Sequence, residues 1–201
     1  MRGQHRRLGM GAASVLALLA GPLPAAAEES RLVLDAFSFF LYEGSEIAVL
    51  LPAGAVVPLE LERAGAQRWT VRIDPAGLDV PPVRYPSGRS VAWKLARPAT
   101  GELTVTGGAA ACRIDAPLVA YVDGSAQGVP FPLTFSTESA QSQAESLVAS
   151  AQGVKLDLAS GALQLVAAGV SPADAPTAPG KPFYVILSGQ ILDRPPELAA
   201  P

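Results

Sequence analysis

The chain alternates. Trp69, Val71 and Ile73 are separated by Thr70 and Arg72; Val91, Trp93 and Leu95 by Ala92 and Lys94; Leu103 and Val105 by Thr104. A period of two sends successive side chains to opposite faces of an extended strand, so each run has one face for a core and one for water. Less regular runs of the same kind occupy residues 32–42, 47–51, 56–61, 118–122, 131–135, 154–158, 163–167 and 183–192. Turn-forming Gly and Pro residues punctuate them. Asp123-Gly124 falls between "LVAYV" and "VPFPLTF", and Ser160-Gly161 between "VKLDL" and "ALQLVAA", both as hairpin connections. Two Pro-rich segments, 74–89 and 171–182, read as surface loops. Short strands at regular spacing predict an all-β, mainly antiparallel β-sandwich, with a closed β-barrel as the alternative.

One segment departs from this period. Between Glu138 and Gln152, Ala140, Ala144, Leu147, Val148 and Ala151 recur at steps of three and four, and Thr137 and Gly153 suit the two caps. The spacing predicts a short amphipathic helix there, with a flexible Ser/Gln-rich connection as the alternative.

The first 27 residues carry the pattern of a bacterial secretory signal peptide. Arg2, Arg6 and Arg7 precede the apolar "AASVLALLA", Pro22 and Pro24 interrupt it, and Ala25-Ala26-Ala27 provides the small residues of a cleavage site. The apolar run is too short to span a bilayer, which takes about 20 residues. Arg6-Arg7 raises the twin-arginine route beside the general one, although the flanking "HRRLGM" suits it poorly. The expected organisation is a signal peptide at 1–27, one β-domain at 28–194 and a Pro-rich tail at 195–201, with export to the periplasm or outside the cell.

Cleavage changes the chemistry available. It removes three of 15 basic residues and none of 18 acidic ones, which leaves a formal charge of −6. That balance disfavours nucleic acid and anionic membrane surfaces as partners. The only histidine, His5, leaves as well. The mature chain then lacks the imidazole needed for Ser–His or Cys–His catalysis and for histidine-based metal or haem ligation. In "AACRID", Cys112 shares a face with Ala110, Ile114 and Ala116 while Arg113 and Asp115 take the other, so the lone thiol is expected in the core.

Carboxylates are the remaining catalytic material. Glu43 and Glu46 form one close pair; Glu60 and Glu62 form another, on one outward strand face. A glycosidase would use two such groups across an aromatic cleft, but two Trp and four Tyr residues are little to build one from, and a solvated face is the plainer reading. Asp74, Asp79, Asp123 and Asp157 lie at or near turns without the spacing of a calcium loop. No metal or cofactor is expected. The most site-like loop is "RYPSGRS", where Arg84, Tyr85 and Arg89 could hold an anionic ligand.

These residues predict a non-catalytic binding or structural module, its partner an unidentified protein or small apolar ligand, with no transmembrane helix after signal cleavage. A carrier of lipid or another hydrophobic ligand, with an apolar barrel interior, and a small carboxylate-based hydrolase are the alternatives. A membrane-embedded barrel fits less well, because the runs are short and aromatic girdles are missing.

Overall fold

The computed structural model describes residues 28–34, 39–42, 48–50, 53–78, 81–85, 87–138, 156–175 and 178–199. Residues 1–27, Glu43, Glu46 and Asp79 lie outside that set, as does the expected helix beyond Glu138. The described chain is nearly all antiparallel sheet: β1 (Glu28–Leu34), β2 (Phe39–Tyr42), β3 (Ala48–Leu50), β4 (Val56–Arg63), β5 (Arg68–Ile73), β6 (Val83–Arg84), β7 (Ser90–Leu95), β8 (Ala99–Thr106), β9 (Ala109–Val122), β10 (Val129–Ser136), β11 (Leu156–Asp157), β12 (Ala162–Val170) and β13 (Pro182–Leu192). A four-residue helix, α1 (Pro196–Ala199), follows.

The all-β, mainly antiparallel expectation holds. All the strands belong to one sheet, and eight of them form a ring: β1-β4-β5-β8-β9-β10-β12-β13, with β13 pairing back onto β1. Two glycines mark opposite points of that ring. A Cβ on Gly101 of β8 would lie 2.2 Å from the Arg113 carbonyl of β9, and one on Gly189 of β13 would lie 2.1 Å from the Val33 carbonyl of β1. Only glycine admits neighbouring backbones so close, which is how a sheet turns a tight corner. The two corners divide the ring into four strands on each side, so a single sheet forms both layers that a sandwich keeps separate.

Long strands are shared between successive partners. β9 pairs β7 through Leu95↔Leu118 and β8 through Thr100↔Asp115, so residues 96–99 bulge opposite residues 116–117. The Ala96 N–H donates to the Pro117 carbonyl at 2.9 Å. The backbone of Pro117 therefore faces the bulge, where a missing N–H is tolerated, and β9 runs unbroken through a proline. β13 is shared the same way, pairing β1 through Gly189↔Leu34 and β2 through Ile186↔Phe39.

The turns bear the expected residues. Asp123 and Gly124 have φ of +48° and +75°, the left-handed pair of a primed turn closed by the Ser125 N–H on the Val122 carbonyl at 2.8 Å, which opens the enlarged 123–128 loop between β9 and β10. Asp123 also accepts from the Ser90 N–H at 2.8 Å, which ties the turn to β7. The Ser160-Gly161 turn is different: β11 pairs with β9 and not with β12, so no hairpin ladder forms there.

Inward rows form one core. Trp93 and Phe131 meet edge to face at 5.1 Å across the small, fully buried Ala120, and Phe131 meets Phe183 in the same manner at 6.1 Å. Three stretches depart from the sequence reading. Segment 74–89 is not all surface loop, because Val83 and Tyr85 alternate with Arg84 and are buried as β6 joins β7. Residues 196–199 fold back as α1, and Leu198 is buried in the core. Thr137 and Glu138 are helical as expected, but the cap is Ser136, whose hydroxyl accepts from the Glu138 N–H at 3.0 Å, and Thr137 instead takes the Cys112 N–H at 2.9 Å where β10 ends.

Candidate functional site

Three places could hold a function: the ring's interior, the arginine loop and the outer face. The interior is close to filled. Its larger described cavity is about 90 Å³, with an entirely apolar lining that includes Leu34, Trp93, Ala99, Ala116 and Leu165. A second void of about 20 Å³ lies near Cys112 and Leu198. Pockets that enclose drug-sized ligands run to about 300–1,000 Å³. Cys112 is 5% exposed, and burial pushes its thiol up to about 12, far from the thiolate that nucleophilic chemistry needs.

The arginine loop separates its expected residues. Arg84 and Arg89 are exposed, whereas Tyr85 turns into the core. The Tyr85 N–H donates to the Arg89 carbonyl at 2.9 Å, closing the loop on itself. Only the two guanidinium groups can thus meet a solvent-borne ligand.

The turn aspartates serve the backbone. The Ala76 N–H, then the Arg72 guanidinium, holds the Asp74 carboxyl below the ordinary range. The Ser90 N–H does the same for Asp123, and the Ser160 hydroxyl and N–H do so for Asp157. Asp74 and Asp157 close Asx-type turns, and Asp123 ties its turn to β7. Among the described residues no group of three His, Cys, Asp or Glu side chains converges as a metal site would require.

The outer face carries a large concavity, a groove of about 610 Å³ across β4, β5, β8 and β9. Cross-strand register builds it from two polar rows. One row runs Glu60, Arg72, Thr100, Asp115; the other runs Glu62, Thr70, Glu102, Arg113. Gly101 lies between the rows at the corner and adds no side chain. Arg72 bridges Glu60 at 3.5 Å and Asp74 at 3.3 Å, and Arg113 bridges Asp115 at 3.5 Å. Thr134 donates to Asp115 at 2.7 Å. Four carboxylates and two guanidinium groups leave the groove acidic, and its ion pairs are about half exposed or more.

The sequence identified Glu60 and Glu62 as an outward pair but not their companions. Glu102, Arg113 and Asp115 arrive on strands separated by 40 residues or more, and only the register aligns them. Gly101, alone inside a strand pattern, was the available signal of a close backbone approach. The groove has no aromatic wall among its lining residues. A general acid of the glycosidase type needs an apolar surrounding that keeps a carboxyl protonated. These carboxylates face arginine, threonine and water.

Among the described residues no helix is long and apolar enough to cross a membrane. No family model, no curated protein and no solved structure matches the chain.

Proposed function

We propose that the domain is an exported, non-catalytic binding or structural module of the cell envelope or extracellular space, and that its contacts are made on the outside of the ring. The observation that carries this reading is the contrast in space: about 90 Å³ in the interior against about 610 Å³ in the polar outer groove. Export rests on the sequence: the arginine-led apolar run, its proline break and Ala25-Ala26-Ala27 before Glu28. The outward rows argue against a lipid-facing exterior, because Arg72, Glu60, Glu102 and Arg113 would stand where a membrane barrel keeps an apolar band. A carrier would need a lumen several times larger than the cavity present.

Native mass spectrometry of the protein recovered from its host's exported fraction tests the reading. The expected mass is that of the polypeptide from Glu28 onward with nothing apolar bound. A stoichiometric lipid adduct would replace the module with a carrier. A mass that retained residues 1–27 would remove the export step.

A further inference from the structure

The ring is zipped unevenly, and one of its seams is almost unzipped. β12 pairs β13 over all nine of its residues, and β10 pairs β9 over all eight, yet β10 and β12 share a single pair, Ser136↔Val166. Continuing that register would set Thr134 opposite Ala168 and Pro132 opposite Val170. Neither pair forms.

Proline accounts for the far end of the gap, beyond the missing Thr134–Ala168 pair. Pro132 lies directly opposite Pro117 in the β9–β10 ladder. The Pro117 carbonyl accepts from Ala96 on the far side of β9, so the Pro117↔Pro132 pair exchanges no hydrogen bonds. Alternation along β10 then turns the backbone of Pro132, and equally that of Pro130, toward β12. Pro132, which would face Val170, has no N–H to offer β12, and Pro130 lies beyond the end of β12 in this register. Val170, 66% exposed, stands at the end of β12 that pairs β13 but not β10.

Side chains hold what the backbone does not. Phe183 of β13 leans over Gly169 of β12, where an added Cβ would lie 3.2 Å from its ring. From there it reaches Phe131 of β10 at 6.1 Å, which rests against Trp93 at 5.1 Å. Three aromatic rings thus bridge the seam from inside. We infer that the β10–β12 seam is a lateral gate of the ring, latched by the Phe131–Phe183 contact, and that the interior is reached sideways through it. Trp93, Phe135 and Leu165 border both the seam region and the 90 Å³ cavity, so opening joins that cavity to solvent. The gate goes beyond the binding-module reading and holds whether or not the outer groove has a partner.

Two buried positions report on it in a Cys112→Ala background. Ala167 lies on β12 beside the seam and is 0% exposed; Val71 lies on β5, away from the 90 Å³ cavity and paired on both sides through Leu61 and Gly101, and is 3% exposed. Under native conditions a small thiol reagent is expected to label Ala167→Cys at least tenfold faster than Val71→Cys. Phe183→Leu should accelerate the first reaction several-fold and leave the second unchanged. Equal rates at the two positions, or equal acceleration of both, would show only global unfolding and overturn the gate. If either cysteine variant fails to fold, amide exchange in the wild-type chain decides: Val166 should exchange at least tenfold faster than Val71, and equal protection overturns the inference.

Discussion

The two faces of β4, β5, β8 and β9 come from the same strands and differ in almost everything else. Inward, Leu59, Leu61, Val71, Leu103 and Ile114 join the common core. Outward, the alternate residues Glu60, Glu62, Thr70, Arg72, Glu102 and Arg113 line an open groove and pair loosely in water. One face is packed and specified by volume; the other is specified by charge and leaves room. A ring of strands thus need not be hollow to bind something, and the location of empty space is a better guide to function than the closure of the sheet.

Substitutions on the two faces should separate by magnitude. Trp93→Ala removes a buried ring that Phe131 packs against and should cost about 3–5 kcal/mol in equilibrium denaturation. A loss below about 1 kcal/mol would mean the ring borders a lumen and not a core.

Ala110→Leu adds volume to an inward position of β9, between Val105 and Leu156 of its neighbours. Overpacking is expected to lower stability by about 1–3 kcal/mol, read as a fall in the denaturant midpoint. An unchanged or raised midpoint would mean more empty space beside Ala110 than the small void near Leu156 provides.

Cys112 adds a pH dependence with a definite sign. Its pKa is raised by burial from 9.0 to about 12. The stabilisation from its buried neutral thiol is complete below pH 9 and is lost as pH rises toward 12, because the unfolded chain gives up its proton first. The stability difference between wild type and Cys112→Ala, on the order of 1 kcal/mol at neutral pH, should therefore fall above pH 9 by at most about 1.4 kcal/mol per unit. A difference that stayed flat to pH 11 would mean the thiol is solvated.

On the outer face the effects should be smallest. Glu62→Gln combined with Glu102→Gln should change stability by less than about 0.5 kcal/mol, since neither side chain is buried. A larger loss would show that the groove is part of the folding core and not a surface left open.

Much of this division was legible in the sequence. The alternation around Trp69, Trp93 and Leu103 fixed which residues face inward, and the neighbours of Cys112 in "AACRID" placed the thiol correctly. Asp123-Gly124 announced its turn because only a few residue types accept two positive φ angles in succession. What stayed hidden depends on pairing at a distance. Nothing local distinguishes Glu60 and Glu62 on a solvated strand from the same residues beside Glu102 and Asp115. Tyr85 was misleading for a related reason: a proline-rich loop conceals a two-residue strand, and pairing with β7 turns the ring inward. The closure of the sheet at Gly101 and Gly189 likewise follows from contacts between strands far apart in the chain.

The central claim is that the interior is filled, and the volume change of unfolding under hydrostatic pressure measures this most directly. It scales with the internal void lost when the chain opens. Followed by tryptophan emission, the wild-type protein is expected to unfold with a decrease of about 20–100 mL/mol, the range of ordinary packed domains. A decrease well beyond that range, in protein stripped of any bound lipid, would reveal a lumen large enough to carry cargo and would contradict the filled ring.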